Sequence, residues 1–220
     1  MAPGKTTPPT RVKTPQLYLA TPPVGEPAEL ARMLPDLIAS ASVAAVLVRF
    51  ALADERSIIQ RGKVLAPAIQ SANAAMLIED HYQLVARMGA DGAHLRDLDA
   101  LREAFPTLKP ERIAGVGGLQ SRHDAMLAGE TGTDYVMFGE PPARGGRPAP
   151  DAIAERLSWW AEVFEIPCVG YAQTRDEALA FAATGAEFLL VGEFIWDDPR
   201  GSKAALMDVR DAIGQNRTEG

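Results

Sequence analysis

Two acidic side chains follow neighbouring apolar segments at a spacing that suits a divalent metal ion. In the stretch MLIEDHYQLVARMGADGAHLRDLD, residues 76–99, Asp80 ends one apolar run and Asp99 follows the next. If both runs are adjacent parallel strands, their carboxyl ends share one edge and bring the two carboxylates to the same rim. Mg²⁺ commonly binds one or two carboxylates together with phosphate oxygens and water. The competing interpretation is that Asp80 caps a helix and Asp99 is a solvated acid.

Other polar residues and glycines also fall where apolar runs end. A lone histidine inside a strand, such as His94, is more often packed and hydrogen-bonded than catalytic. The segment GVGG, residues 115–118, resembles a phosphate cradle only in ending a strand, and it lacks the rest of a dinucleotide fingerprint. The full set of strand-end positions is Thr21, Arg49, Glu79, Asp80, His94, Gly117, Gly118, Glu140, Gly170, Gly192 and Glu193.

The elements that would position these residues alternate between short apolar strands and longer helices rich in alanine and charge. This alternation is typical of strand–helix units around a parallel sheet. Eight evenly spaced units favour a closed (β/α)8 barrel of the TIM type, whose C-terminal strand ends build the active site. An open doubly wound sheet is the competing architecture. The predicted strands span residues 16–21, 42–50, 74–80, 91–95, 112–118, 134–140, 167–172 and 187–195.

Local signals mark where helices end and strands begin. The turns MGADG, TGTDY and TGAEF precede the fourth, sixth and eighth predicted strands, and their glycines suit the left-handed conformation at a helix end. In TRDEALAFAATGA, Thr174 is placed to cap the helix and Gly185 to close it. We divide the chain into a proline-rich flexible arm over residues 1–15, a barrel over 16–214 and a tail over 215–220.

Composition narrows the classes of partner. Twenty-two basic against 29 acidic residues give a formal charge of −7, which offers no general attraction to nucleic acid or to an anionic membrane. The single cysteine has no partner for an intrachain disulfide. No run reaches the roughly 18 apolar residues of a membrane span, and the first residues lack the apolar centre of a signal peptide. We therefore expect a cytoplasmic protein that meets any anionic substrate with local cations.

The stretch from Asp80 to Asp99 resembles the thiamine phosphate synthase family, in which the same region reads approximately LIND…GADGVHLGQED. The likeness continues through GTDYVMFGEPP, IPCVGYA and GAEFLLVGEFI, so that it covers nearly the whole predicted barrel. It implies that Asp80 and Asp99 bind the Mg²⁺ of a pyrimidine diphosphate. It also implies that Arg49 and Arg147 act as catalytic contacts to the diphosphate, with Arg144 as a neighbouring substrate contact. Without the resemblance, Arg144 and Arg147 would be assigned to a solvated loop.

Several positions depart from the family pattern. Glu79 replaces an asparagine, and Gly117 replaces a serine after the fifth strand. The second-strand run keeps Arg49 but carries Leu47 and Ala51 where the family has glutamine and lysine. Each change removes a polar contact from the expected substrate site, to which we also assign His94.

The product phosphate of the family rests on the turns after strands seven and eight. Here Gly170 is followed by Tyr171, and Gly192 by Glu193. A carboxylate at a dianion site costs several kcal/mol unless a cation intervenes or the side chain points away. The expected phosphate contacts at Gly170, Gly192 and Glu193 are therefore altered.

The resemblance implies a Mg²⁺-dependent transferase that joins hydroxymethylpyrimidine diphosphate to a thiazole phosphate and releases diphosphate. Its partners would be small phosphorylated substrates, and assembly into a homo-oligomer stays open. Two alternatives remain. One is an isomerase similar to the thiazole tautomerases, for which the retained acid pair has no evident use. The other is a non-catalytic ligand-binding or regulatory barrel, which the altered phosphate turns favour.

Overall fold

The computed structural model describes residues 14–142 and 146–215, and over these residues the strands close into a barrel. All eight strands are parallel and each pairs with its neighbours in the sequence, with the last pairing with the first. The predicted (β/α)8 fold is thus confirmed. The predicted arm and tail fall almost wholly outside the described residues. The strands are β1 Gln16–Ala20, β2 Ala45–Val48, β3 Ala75–Glu79, β4 Gly92–Leu95, β5 Ile113–Val116, β6 Tyr135–Phe138, β7 Cys168–Ala172 and β8 Phe188–Val191.

Helices follow the strands and surround the barrel. Thr174 accepts a hydrogen bond from the Glu177 amide and caps its helix as predicted. The prediction was wrong at the end of the eighth strand, because residues 193–195 form a short helix there. Described helices are α1 Pro27–Ala41, α2 Glu55–Gln70, α3 Val85–Met88, α4 Leu98–Leu108, α5 Arg122–Thr131, α6 Pro150–Val163, α7 Arg175–Ala182, α8 Glu193–Trp196 and α9 Ser202–Gln215, with a 3₁₀ turn at Tyr82–Leu84. None of these described helices is long and apolar enough to span a membrane.

Alternate residues of each strand face two different apolar layers. One layer lies between the strands and the helices and is built mainly from aliphatic side chains. The other fills the barrel interior, where Tyr18 of β1 meets Tyr135 of β6 through their hydroxyls at 3.1 Å, although these strands are not neighbours in the sheet. Burying both layers supplies most of the driving force for folding. The hydroxyls of Tyr18 and Tyr135 are buried among these apolar side chains and lead to His94, which is nearer the C-terminal mouth.

The three predicted glycine turns lie at the opposite end of the barrel and make the same hydrogen-bonding contact there. In each, the acidic residue accepts a hydrogen bond from the first or second amide of the preceding strand. This bond helps to fix the register of neighbouring strands, because it satisfies an amide at the N-terminal end of a strand. The three pairs are Asp91 with the Met76 amide at 2.7 Å, Asp134 with the Ala114 amide at 2.8 Å, and Glu187 with the Cys168 amide at 2.9 Å.

Removing one of these acids should destabilise the barrel measurably. We expect Asp134→Ala to lower the free energy of unfolding by about 1–3 kcal/mol, because the Ala114 amide loses its acceptor. The Lys109 ammonium, 2.6 Å from Asp134 Oδ1, loses its partner as well. Urea denaturation would measure the change. Asp176→Ala, at an exposed position of α7, should stay within about 0.5 kcal/mol of the parent, and an equal effect of both substitutions would contradict the assignment.

Candidate active site

Arg49 directly follows β2 and stands at the centre of the C-terminal mouth. Its Nε donates to Glu79 Oε1 at 3.0 Å, one terminal nitrogen donates to Glu193 Oε1 at 3.0 Å, and the other donates to the Tyr171 hydroxyl at 3.3 Å. Burial lowers the pKa of Arg49, but the hydrogen bond to Tyr171 and the charges of Glu79 and Glu193 outweigh it and raise the pKa. The guanidinium therefore stays charged and is fixed by groups from β3, β7 and α8.

Glu193 faces this mouth. The chain turns at Gly192, after β8, and α8 begins with Glu193, whose carboxylate reaches Arg49 and also accepts from the Tyr171 hydroxyl at 3.1 Å. The side chain is 61 % exposed. Its ion pair with Arg49 is thus formed at the solvent boundary, where such pairs contribute little to stability and are readily exchanged.

Asp80 lies beside this centre, at the end of β3, in an uncommon backbone conformation. Both Asp80 and His81 have positive φ, 54° and 43°. Asp tolerates this region better than most residues, yet such conformations persist mainly where function or packing requires them. Asp80 Oδ1 is 3.6 Å from Arg96 Nε. The 3₁₀ turn that follows begins at Tyr82, with His81 at its N-cap position and no side-chain cap, so the interpretation of Asp80 as a helix cap is wrong.

Asp80 also lines a cleft of about 490 Å³ between β3, β4 and α4. The acidic groups on its wall include Glu79 and Glu103, and Arg96 is the guanidinium there. Carboxylate oxygens that face an open cleft are the ligand type that Mg²⁺ prefers.

Asp99 is placed differently from Asp80. It lies in the first turn of α4, its side chain is 95 % exposed, and its carboxylate is 3.5 Å from Arg102. Asp97 caps this helix by accepting from the Ala100 amide at 2.8 Å. The structure therefore pairs Asp80 with Arg96 and Asp99 with Arg102. Within the described residues, no three His, Cys, Asp or Glu side chains group as a ready metal site.

A polar column descends from the mouth into the barrel. His94 of β4 is buried. Its Nε2 is 3.0 Å from Glu140 Oε1, and its Nδ1 is 2.9 Å from the Tyr135 hydroxyl, which in turn contacts Tyr18. Burial lowers the pKa of His94, but the charges of Glu140 and more distant carboxylates outweigh it and raise the pKa. The sequence favoured a packed, hydrogen-bonded histidine over a catalytic one, as the structure shows, but did not identify its partners; the assignment of His94 as a substrate contact stays a prediction.

Three comparisons with known proteins identify the fold and the family. The fold matches that of a thiamine phosphate pyrophosphorylase from Pyrococcus furiosus with a TM-score of 0.74 at 22% identity, covering 93% of this chain and 98% of that one. A thiamine-phosphate synthase from Rhodospirillum centenum is 38% identical over 196 residues, 88% of this chain and 95% of the relative. The family model for thiamine monophosphate synthase matches residues 17–195. The chain belongs to this family.

A second relative within the family extends the same likeness. The thiamine-phosphate synthase of Hyphomonas neptunium is 32% identical over 199 residues, 87% of this chain and 90% of the relative. A geranylgeranylglyceryl phosphate synthase from Thermoplasma acidophilum also shares the fold, with a TM-score of 0.66 at 15% identity over 92% of this chain. That second structure supports the barrel alone, because its sequence identity is too low to carry more.

In this family member, the predicted diphosphate contact Arg147 is already engaged by the protein. Its fork binds both oxygens of Glu177, at 2.9 and 2.8 Å, and it donates to the backbone carbonyls of Gly139 and Tyr171. Its side chain and that of Glu177 are both largely buried. Arg147 thus ties the segment after β6 to β7 and α7. Arg144 lies outside the described residues.

The glycines of the predicted phosphate site differ in position. Gly170 lies in the middle of β7, not at its end as predicted, and faces Leu157 and Phe181 of the helical layer. The strand continues to Ala172, so the turn that follows it is built from later residues. Gly192 does end β8, as expected. Gly117 lies beneath Glu140, because a Cβ added there would overlap the Glu140 carboxylate.

The Arg147–Glu177 pair makes a prediction about pH. Burial raises the pKa of Glu177, but hydrogen bonds from Arg147 and the Gln173 amide outweigh it and lower the pKa. A carboxylate with a lowered folded pKa stabilises the native state fully above its ordinary pKa, here 4.5, and this contribution is lost as pH falls through the folded value. Glu177→Gln should therefore cost about 1.5–3 kcal/mol at pH 7 and progressively less in acid.

Denaturant unfolding of both proteins between pH 7 and pH 3 would measure this difference. A difference between parent and Glu177→Gln that stays constant across that range would show that the ion pair contributes nothing. Asp176→Asn is the matched control on the same helix, since its exposed carboxylate has no such partner among the described contacts.

Proposed function

We propose that this chain forms thiamine phosphate by transferring the hydroxymethylpyrimidine group from its diphosphate to a thiazole phosphate. Family membership supports the reaction class. The observation that carries the proposal is the charged, fixed guanidinium of Arg49 at the mouth, held by side chains from three separate elements. A planar fork of donors in a partly buried setting suits a diphosphate.

In this reaction, the carbon–oxygen bond to the diphosphate breaks and its electron pair leaves with the diphosphate. The thiazole nitrogen then forms the new carbon–nitrogen bond to the pyrimidine methylene. Arg49 stabilises the departing anion when its donors turn from Glu79 and Glu193 to the diphosphate oxygens. Since Glu193 is 61 % exposed, it can move into water at small cost.

The charges at the mouth support a requirement for a divalent cation. Two guanidiniums, Arg49 and Arg96, face the carboxylates of Glu79, Asp80 and Glu193 within the described rim, so the site carries an acidic excess. A diphosphate entering it needs further positive charge.

Mg²⁺ would supply this charge and would neutralise the leaving diphosphate. Asp80 fits as its ligand, because it offers a partly exposed carboxylate on an open cleft. We keep Asp99 as the second proposed ligand, although its carboxylate must leave Arg102 and turn toward the mouth. Mg²⁺ accepts few protein ligands when phosphate oxygens and water complete its shell, so a site without three clustered side chains remains suitable.

One incubation tests the proposal. The purified protein is mixed with hydroxymethylpyrimidine diphosphate, thiazole phosphate and Mg²⁺, and thiamine phosphate and diphosphate are quantified by chromatography and mass spectrometry. We expect equal amounts of both products, none when either substrate is omitted, and none with excess chelator. A protein that binds the substrates but yields no thiamine phosphate with Mg²⁺ would overturn the proposal and favour a non-catalytic barrel.

A further inference from the structure

Glu140, at the end of β6, occupies a position that the neighbouring strand leaves empty. Two glycines of β5 and its end, Gly115 and Gly117, clear the inward side of that strand. A Cβ at Gly115 would overlap the Tyr135 ring, and one at Gly117 would overlap Glu140 Oε2. The segment GVGG is thus explained by the side chains of β6 that fill its space. A side chain at position 117 would therefore displace the Glu140 carboxylate from its present place.

The Glu140 carboxylate is held in a fixed orientation. Its Oε2 accepts a hydrogen bond from the Gly118 amide at 3.1 Å, and its Oε1 is 3.0 Å from His94 Nε2. Tyr135 bonds the other ring nitrogen of His94 and so fixes the imidazole. The Glu140 side chain is 14 % exposed, so an edge of it remains open to solvent. Each carboxylate oxygen has accepted one hydrogen bond and keeps further acceptor capacity.

Glu140 differs in this respect from the other acids of the mouth. Glu79 and Glu193 are more exposed, and both are bound to Arg49. Among the described contacts, Glu140 has no arginine or lysine partner, and His94 and one backbone amide are its only donors. It is therefore a fixed acceptor with capacity for a further donor, and its negative charge makes it unsuitable for a phosphate.

We propose that Glu140 binds the pyrimidine substrate by accepting a hydrogen bond from its ring amino group, and so selects amino-substituted rings. The inference rests on the proposed function, because that reaction supplies an aminopyrimidine. The phosphate groups of the substrates would bind to Arg49 and Mg²⁺. The ring amino group is then the hydrogen-bond donor of the pyrimidine that still needs an acceptor, and a preorganised carboxylate can accept from it. As a substrate-binding carboxylate, Glu140 would also face the pyrimidine as positive charge develops on it.

Paired ligands test the selection directly. Calorimetric titration with aminopyrimidine methanol and with the same alcohol carrying methyl in place of the amino group gives a ratio of affinities for each variant. We expect the parent to prefer the amino ligand by about 10- to 100-fold, the size of one charge-assisted hydrogen bond. Glu140→Gln keeps the shape of the side chain and should lose most of this preference, whereas Glu193→Gln, at the same mouth, should retain it.

A second pair of variants guards against loss of folding. Gly117→Ser alone should destabilise the protein because it pushes the Glu140 carboxylate away from His94 and the Gly118 amide, and adding Glu140→Ala should recover stability by removing the displaced charge. The double variant then carries a hydroxyl on β5 in place of the carboxylate. It should bind the amino ligand more tightly than Glu140→Ala does. Melting temperatures would measure the change in stability, and the same titrations would measure the change in ligand affinity.

The outcomes separate this inference from the proposed reaction. Equal affinity of the parent for both ligands, no binding of either, or an unchanged preference in Glu140→Gln would overturn the role of Glu140 even if thiamine phosphate is formed. Conversely, a preference that depends on Glu140 in a protein that forms no thiamine phosphate would support the role and refute the reaction.

Discussion

Replacing Asp80 by Asn should lower kcat/KM for thiamine phosphate formation by about 100- to 1,000-fold. The carboxylate is the proposed ligand of the Mg²⁺ that neutralises the leaving diphosphate, and such charge stabilisation is worth several kcal/mol. Asn also adopts the left-handed backbone of position 80, where φ is 54°, so the substitution removes the charge without straining the chain. Steady-state kinetics over a range of Mg²⁺ concentrations would measure the loss and a weakened dependence on the ion.

The matched control for this variant is Glu130→Gln, an exposed acid in the last turn of α5, at the end of the barrel away from the mouth. It should retain the parent rate. An Asp80→Asn protein with unchanged kcat/KM and an unchanged requirement for Mg²⁺ would remove Asp80 from the site. Asp99→Asn run in parallel decides the second ligand: a loss of similar size supports it, and a rate equal to the parent excludes it.

Replacing Arg49 by Met should reduce kcat by about 100- to 1,000-fold, the usual effect of removing one preorganised donor from a developing negative charge. The change also leaves Glu79 and Glu193 without their shared cation, which makes the mouth more acidic and weakens diphosphate binding. Kinetics with varied pyrimidine diphosphate would show both a lower kcat and a higher KM.

Two further variants separate the charge of Arg49 from its shape. Arg49→Lys keeps a positive charge but loses the planar fork, so it should recover only part of the activity. Glu193→Gln removes the carboxylate that competes with the diphosphate for Arg49, so it should lower the KM for that substrate. An Arg49→Met protein of parental activity, or a KM raised in Glu193→Gln, would contradict the exchange of partners at this guanidinium.

The barrel was predictable because its signals are local and repeated. Short apolar runs alternate with amphipathic segments, and glycine turns with a following acid mark three of the junctions. The acids proved to have a further use, since Asp91, Asp134 and Glu187 each bind an amide of the preceding strand. The sequence of a single strand does not predict that contact, because it depends on the register between two strands.

The site was only partly predictable, because side-chain direction depends on partners distant in the chain. Arg49 and Glu193 meet across 144 positions, and Tyr18 meets Tyr135 across 117. A family pattern located Arg147 but could not show that Glu177 already occupies its fork. Tyrosines at inward-facing positions of two strands, Tyr18 and Tyr135, are the sequence signal for these buried polar contacts.

Two errors have simple causes. The eighth predicted strand was extended too far because apolar residues resume directly after Gly192 and Glu193, whereas those two residues mark the change from β8 to α8. Gly170 was placed at a strand end because the family pattern has a glycine turn after strand seven, whereas here it lies within β7 against Leu157 and Phe181. The cytoplasmic location and the division into an arm over residues 1–15 and a tail over residues 215–220 stay predictions.

The most direct test of the account is a crystal structure of the protein with Mg²⁺ and diphosphate. We expect the anion at the C-terminal mouth, within hydrogen-bonding distance of the Arg49 guanidinium, with an ion on the Asp80 carboxylate and Glu193 displaced. A diphosphate bound elsewhere, with the contacts of Arg49 to Glu79 and Glu193 intact, would contradict a transferase site at this rim.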